Sequence, residues 1–207
     1  MDEMIMAQGQ KMPISDWLSY NHLTNSPEDR KAVLDFVVVH PETGGGLERY
    51  LKEDALLDEE NSLMRTYLVR HRFTNECVGY FSLKAGLVAV NERIMPDNST
   101  AFDTVPGVEL ANFAINDIFQ NKYHLHGLGG ILFRRLIVPF VQKLSESLGI
   151  YMIYIFALPQ SRLIETYEKY GFLRLAPQEE KLLHQRLKPS YDESCVFMFQ
   201  TLEQLRN

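Results

Sequence analysis

Long apolar runs are missing from this chain. No stretch approaches the roughly 20 residues a membrane-crossing helix needs, so nothing argues for a membrane partner. Cysteine is scarce. Cys77 and Cys195 are the only two and form no metal-type pair, which reads as reduced thiols in a cytoplasmic protein. The start, Met1-Asp2-Glu3-Met4, lacks the basic-then-apolar order of a signal peptide. A basic surplus is missing too: 21 Lys and Arg stand against 27 Asp and Glu, a net charge of −6. That balance argues against a general nucleic-acid binder, which needs a basic face, but leaves room for a local patch. Internal repeats and low-complexity segments are also absent.

What is there suits one domain. A chain of 207 residues, 45% apolar, buries a full core without staples. Residues 1–12 read as a flexible lead-in, and a short strand is expected around Trp17 and Leu18. Ser26-Pro27-Glu28-Asp29 is a helix start, with Ser at the cap, Pro in the first turn and acids at the positive end. That helix would turn Ala32, Val33, Phe36 and Val37 inward. His40-Pro41 and Gly44-Gly45-Gly46 should break it; the triple glycine is a connector or a second anion cradle. A helix from Leu47 to about Leu57 follows, and Asp58-Glu59-Glu60 reads as a solvated charge run. Met64 to His71 and Cys77 to Val90 form a hairpin of strands, with Gly86 marking a bend or bulge. Asn91 to Pro106 reads as a surface loop.

The informative stretch runs from Val108 to Leu148. Val108 and Leu110 share one strand face, while Phe113 and Ile115 have the opposite parity. Either a bulge near Ala111-Asn112 restores the register or the strand is buried on both faces. Asp117 to Tyr123 then leads as a loop into His124-Leu125-His126-Gly127-Leu128-Gly129-Gly130. A helix opens there, with Ile131, Leu132, Ile137, Phe140, Val141, Leu144 and Leu148 at helical spacing and Pro139 as a kink point. The first N–H groups of a helix lack intrahelical acceptors, the macrodipole adds positive charge, and glycines let an anion come close. The segment is therefore a phosphate cradle or a site of close helix–strand packing. It is neither a P-loop nor a Gly-x-Gly-x-x-Gly dinucleotide motif. Ile150 to Ala157 reads as a central strand. Pro159 starts a helix whose Leu163, Ile164, Tyr167 and Tyr170 face the core and which Gly171 ends. Phe172 begins a strand, Ala176 to Ser190 is a charged, partly helical excursion, and Cys195 to Phe199 is the last strand.

The order strand, glycine loop, helix, strand, helix, followed by Tyr167-Glu168-Lys169-Tyr170-Gly171-Phe172, resembles the GNAT superfamily of acyl-CoA N-acetyltransferases. That family's Gln/Arg-x-x-Gly-x-Gly/Ala motif aligns with His124-x-x-Gly127-x-Gly129, with His in the first place. The resemblance covers about residues 63–175. Val78-Gly79-Tyr80-Phe81, Ala85-Gly86 and Gly127-Leu128-Gly129-Gly130 look most like the branch that contains toxin-type acetyltransferases, which modify aminoacyl-tRNA.

The resemblance implies an α/β fold: a mixed, mostly antiparallel sheet of six to seven strands, splayed between the two central strands, with helices on both faces. It implies acetyl-CoA as co-substrate and an amine acceptor on a small molecule or protein. The alternatives are aminoacyl-tRNA as acceptor, or a module that binds acyl-CoA without turnover. The diphosphate would rest on the loop from His124 through Leu125, His126, Gly127, Leu128 and Gly129 to Gly130. The pantetheine arm would pair with the backbone of Phe113, Ala114 and Ile115, and Gln160 would reach it from beside. Tyr167 would protonate the leaving thiolate, or else be a core tyrosine. Glu109 would take the ammonium proton through water, or else form a strand-edge salt bridge. His124 and His126 line the loop or face solvent, since no third metal ligand is evident. A homodimer is one assembly this reading allows.

Overall fold

The computed structural model describes residues 4–7, 10–39, 41–186 and 194–206. Expectations for residues 1–3, 8–9, 40 and 187–193 lie outside them. Within the stretch expected as a lead-in, β1 (Met4–Ala7) pairs antiparallel with β2 (Gln10–Pro13). A 3-10 turn at Ile14–Trp17 leads into β3 (Leu18–His22). Helix α1 (Pro27–Leu34) starts where its cap is written: Ser26 Oγ accepts from Asp29 N–H at 3.1 Å.

Helix α2 (Pro41–Glu53) corrects the sequence reading, because the triple glycine lies inside it. Pro41 supplies a first helical residue that needs no N–H. Gly44 is there for space: a Cβ on it would fall 2.0 Å from Val38 Cγ1. Helix α3 (Ala55–Glu60) follows, then β4 (Arg65–His71). Glu59 is not solvated as expected; its side chain is 8% exposed. Because α3 ends just before β4 begins, Glu59 Oε2 lies 2.7 Å from His22 Nε2 and accepts from Arg65 at 2.9 Å. Its Oε1 accepts the Thr66 N–H.

Strands β5 (Cys77–Ile94) and β6 (Thr100–Ile115) are longer than expected, and most of the supposed surface loop is their paired arms. The turn is cut down to residues 95–99, closed by Met95 N–H to Ser99 O at 2.8 Å. Arg93 and Asp103 pair across the arms. In β6, Val108, Leu110, Ala114 and Asn116 just beyond it are buried, while Phe113 and Ile115 are half-buried. Residues of both parities are thus at least partly covered.

The segment read as a loop after β6 is helix α4 (Asp117–Lys122). Its cap is Asn116, whose Oδ1 accepts from Ile118 N–H at 3.2 Å. The glycine-opened helical run is α5 (Leu128–Leu132), a π turn at Phe133–Ile137 and α6 (Val138–Leu144). The expected disturbance at Pro139 is this π turn, in which Val138 N–H reaches back to Phe133 O. Leu148, expected on the apolar stripe, lies beyond the run and is 58% exposed. Next come β7 (Met152–Ala157), buried throughout, α7 (Ser161–Lys169) and β8 (Leu173–Arg174). The chain ends with α8 (Pro177–Arg186), β9 (Val196–Thr201) and α9 (Leu202–Arg206).

Seven strands form one mixed sheet in the order β3-β4-β5-β6-β7-β9-β8. β6 and β7 run parallel, while β3–β4, β4–β5, β7–β9 and β8–β9 are antiparallel. The parallel ladder registers only Gly107, Val108 and Glu109 with Met152, Ile153 and Tyr154. Past Glu109, β6 has no registered partner in β7 among the described residues.

The chain divides into two compact units, and β5 and β6 pass through both. In the unit of residues 1–84 and 111–139, the core joins Ala32, Val33 and Phe36 of α1 to Leu51 of α2 and to Leu68, Cys77 and Tyr80 of the sheet. In the unit of residues 85–110 and 140–207, the core gathers Val88, Met152, Tyr154, Phe156, Leu183, Cys195 and Phe197. Among the described residues, no helix is long and apolar enough to cross a membrane.

Candidate active site

The cradle segment belongs to the first unit. Asn116 anchors its approach: Nδ2 donates to Cys77 O at 3.0 Å and the backbone N–H to Val78 O at 2.9 Å. Helix α4 then turns through His124 and Gly127, with φ of +52° and +68°. The left-handed turn at Gly127 suits a residue without Cβ, and nothing lies within 4 Å of where a Cβ would point.

Not every expected amide is available. His124 N–H donates to Asn121 O at 3.3 Å and Leu125 N–H to Gln120 O at 3.0 Å. The first helical bond is Ile131 N–H to Gly127 O at 3.2 Å. That leaves the N–H groups of Gly127, Leu128, Gly129 and Gly130 without an acceptor among the described residues. Leu125 and Leu128 anchor the loop through buried side chains, while His124 and His126 are exposed. Unpaired N–H groups at the positive end of a helical run are the kind of feature that attracts an anion.

Gly79 sets how closely that helix meets the sheet. A Cβ there would lie 2.6 Å from Ala114 O and 3.3 Å from Leu132 Cδ2. Strand residue Ala114 and helix residue Leu132 thus meet over one glycine. The helix that the glycine segment opens thus packs through Leu132 near Ala114 of the 113–115 segment, for which no β7 register partner is found among the described residues. Close helix–strand packing is present at Gly79, and Leu128 and Gly130 of the glycine segment are buried while Gly127 is exposed.

The other expected site residues belong to the second unit. Glu109 is half-buried, and the Tyr154 hydroxyl donates to its Oε2 at 3.5 Å. Tyr154 is a buried partner of Glu109 that the sequence does not announce. Its trace was the pair Gly86 and Gly107. A Cβ on Gly86 would fall 2.0 Å from Tyr154 Oη, so Gly86 makes room for the ring. Burial, then the Glu109 carboxylate, push the Tyr154 phenol pKa well up.

Tyr167 lies on α7, and no residue of that helix is fully buried. Leu163, Ile164, Tyr167 and Tyr170, expected to face the core, are half-buried. The Tyr167 ring meets Phe172 edge-on at 5.5 Å and Tyr170 at 6.0 Å. Desolvation of its hydroxyl, then the neighbouring Tyr170 phenol, raise its pKa well above the usual phenol value. It stays protonated at neutral pH and can act as a proton donor. Gly171, with φ +96°, ends the helix as expected. Gln160 caps α7 through its backbone, accepting from Ile164 N–H at 3.0 Å, and its side chain makes no capping bond. Among the described residues, no group of three or more His, Cys, Asp or Glu could hold a metal ion.

No family model matches the chain. Solved structures share its fold. A tyrosine-to-phenylalanine mutant of the toxin AtaT, bound to acetyl-CoA and the C-terminus of the antitoxin AtaR, is 17% identical with a TM-score of 0.61. The match covers 91% of this chain and 96% of that one. AtaT complexed with acetyl-methionyl-tRNAfMet is also 17% identical, with a TM-score of 0.63 over 91% and 97% of the two chains. A tyrosine-to-phenylalanine mutant of KacT is 18% identical, with a TM-score of 0.61 over 92% and 98%. The chain shares the fold of these proteins.

Proposed function

We propose that the chain is an acetyl-CoA-dependent N-acetyltransferase whose acceptor is the α-amino group of an aminoacyl-tRNA. The observation that carries the transferase reading is the row of amides from Gly127 to Gly130 without an acceptor among the described residues, in the same unit as a 113–115 segment with no registered partner in β7 among them. A diphosphate fits the first, and an amide-bearing pantetheine arm fits the second as an added strand. The fold shared with a toxin bound to acetyl-CoA supports the same donor. The acceptor reading draws on AtaT, which has been captured with acetyl-methionyl-tRNAfMet.

Chemistry favours an α-amine as well. Its ordinary pKa of about 8 leaves a useful neutral fraction at pH 7, whereas a lysine side chain, near 10.4, needs a strong base. In this reading the chain's amides hold the donor so that the neutral amine meets the thioester carbonyl. The amine forms a C–N bond, and the C–S bond breaks. Tyr167 gives its phenolic proton to the departing thiolate, and Glu109 takes the ammonium proton through one water. The products are the N-acetylated aminoacyl ester and free thiol.

The net charge of −6 means that RNA must be met by a local patch rather than by the whole surface. Arg134 and Arg135, adjacent and exposed on the π turn, are the candidates nearest the cradle in sequence. By likeness to AtaT, which binds AtaR, a protein partner that restrains the enzyme belongs to the same proposal.

The test is thiol release from acetyl-CoA with aminoacyl-tRNA against a panel of free amines and peptides. Release only with aminoacyl-tRNA is the expected result. Tyr167→Phe keeps the ring contacts and should lower kcat by roughly 10² to 10⁴ with acetyl-CoA affinity unchanged. Release with free amines alone would overturn the acceptor. Tight acetyl-CoA binding with no release from any acceptor would make the chain a binding module.

A further inference from the structure

Glu109 and Tyr154 are register partners, and theirs is the last registered pair of the β6–β7 ladder. Partners in a ladder raise their side chains on the same face. Tyr154 is 1% exposed. Its ring packs against Phe197 at 5.5 Å and Phe156 at 6.1 Å. It lies over two glycines on neighbouring strands: a Cβ on Gly86 would fall 2.0 Å from Oη, and one on Gly107 would fall 3.0 Å from the ring. Packing therefore fixes where the hydroxyl points, and it points at Glu109 Oε2, 3.5 Å away.

The geometry points to Tyr154 as a positioning residue that aims the Glu109 carboxylate, and the inference rests on the transferase reading above. A half-buried glutamate has several rotamers to choose from, and an immobile donor on the facing strand selects one. The phenol keeps its proton throughout the neutral range, so it donates in every turnover and takes no part in the transfer. Glu109 accepts the ammonium proton through water and returns it to solvent; Tyr154 gains and loses nothing. The hydrogen bond favours the charged form of the carboxylate. Gly86 and Gly107 make room for this arrangement, which gives both glycines a role in the chemistry at one remove.

The test compares pH profiles of kcat/KM for the full chain with acetyl-CoA and the acceptor it uses. Tyr154→Phe keeps the ring and its packing. It should move the acidic limb upward by roughly half to one pH unit, because a donor to the charged carboxylate is gone. Glu109→Gln should flatten that limb. Gly86→Ala should push the hydroxyl off Glu109 and move the limb as Tyr154→Phe does, and add no further movement in the Tyr154→Phe background. A Tyr154→Phe profile that superimposes on the wild type overturns the inference, as does a shift that survives in Glu109→Gln. Carboxyl-carbon NMR titration of Glu109 in the unliganded chain reads the contact without turnover. A midpoint moved by Tyr154→Phe supports the contact, and an unmoved one overturns it. Wild-type chain that never releases thiol defeats the transferase reading instead.

Discussion

Replacing Asp29 by Ala leaves a buried cation without its counter-charge. Asp29 ties α1 to β4: Oδ1 accepts from Arg70 at 2.7 Å, and Oδ2 accepts from Thr24 N–H and Oγ1 at 2.8 and 2.7 Å. The two charged side chains are 9% and 5% exposed for Arg70 and Asp29. With charge centres about 4 Å apart and an effective dielectric of about 20, their attraction is about 4 kcal/mol. Desolvation costs a similar amount, so the pair adds little net stability, yet removing one member is expensive. Without Asp29, Arg70 keeps only neutral acceptors, Asn21 Oδ1 at 3.2 Å, Asn75 O at 3.0 Å and Glu28 O at 3.4 Å. Asp29→Ala should cost about 3–5 kcal/mol, a large part of the 5–15 kcal/mol that holds a typical domain. Asp29→Leu combined with Arg70→Met should cost less than the sum of the single changes. Urea unfolding followed by fluorescence of the single tryptophan, buried Trp17 in the same unit, reads the loss. The pH dependence has a definite sign. Burial raises the Asp29 carboxyl pKa, but the Thr24 hydrogen bonds and Arg70 outweigh it, so the folded value lies below the ordinary one. The stability it contributes is present above the unfolded value near 3.9 and is lost as pH falls through the folded value. The wild type's advantage over Asp29→Asn should therefore narrow below about pH 4. A loss under 1 kcal/mol in Asp29→Ala, or an advantage that grows in acid, would refute the reasoning.

Two further outcomes follow from burial and space. Gly44→Ala should cost about 1–3 kcal/mol because its Cβ meets Val38, whereas Gly46→Ala, with open space in the same helix, should gain about 0.5–1 kcal/mol; urea midpoints that move alike would contradict this. In an ultraviolet pH titration, Tyr80, Tyr154 and Tyr167 should lag behind the exposed tyrosines, since burial raises all three. Unfolded chain loses those protons first, so stability should fall as pH rises above about 10. All ten tyrosines ionising together while the fold persists would count against it.

The sequence carried those features whose cause is local. Ser26-Pro27 caps α1 with its own hydroxyl, and Gly171 ends α7 at a positive φ, because both depend on a few neighbouring residues. The apolar run of β7 declared a central strand by composition. Features with distant causes were hidden. Gly44 sits in a helix because Val38 presses on it, so its glycine signal pointed to a break that tertiary contact overrides. Glu59 looked like surface charge until His22, Arg65 and Thr66 were brought round it. Helix α4 was hidden as well, since its cap Asn116 directly follows a long strand and the segment after it is short and polar. In the candidate site, the glycine segment opens a helix as its spacing suggests. Two of its amides are used by α4, a helix the sequence reading did not place. Tyr154 left only the indirect trace of two glycines on other strands.

The central claim is that the amides of residues 127–130 receive the diphosphate of acetyl-CoA. Backbone amide NMR of the labelled chain, titrated with acetyl-CoA and separately with pantetheine, tests it most directly. The account expects large shifts at Gly127, Leu128, Gly129 and Gly130 with acetyl-CoA, and little change there with pantetheine, which lacks the diphosphate. Saturation with acetyl-CoA that moves other amides but leaves those four in place would contradict it.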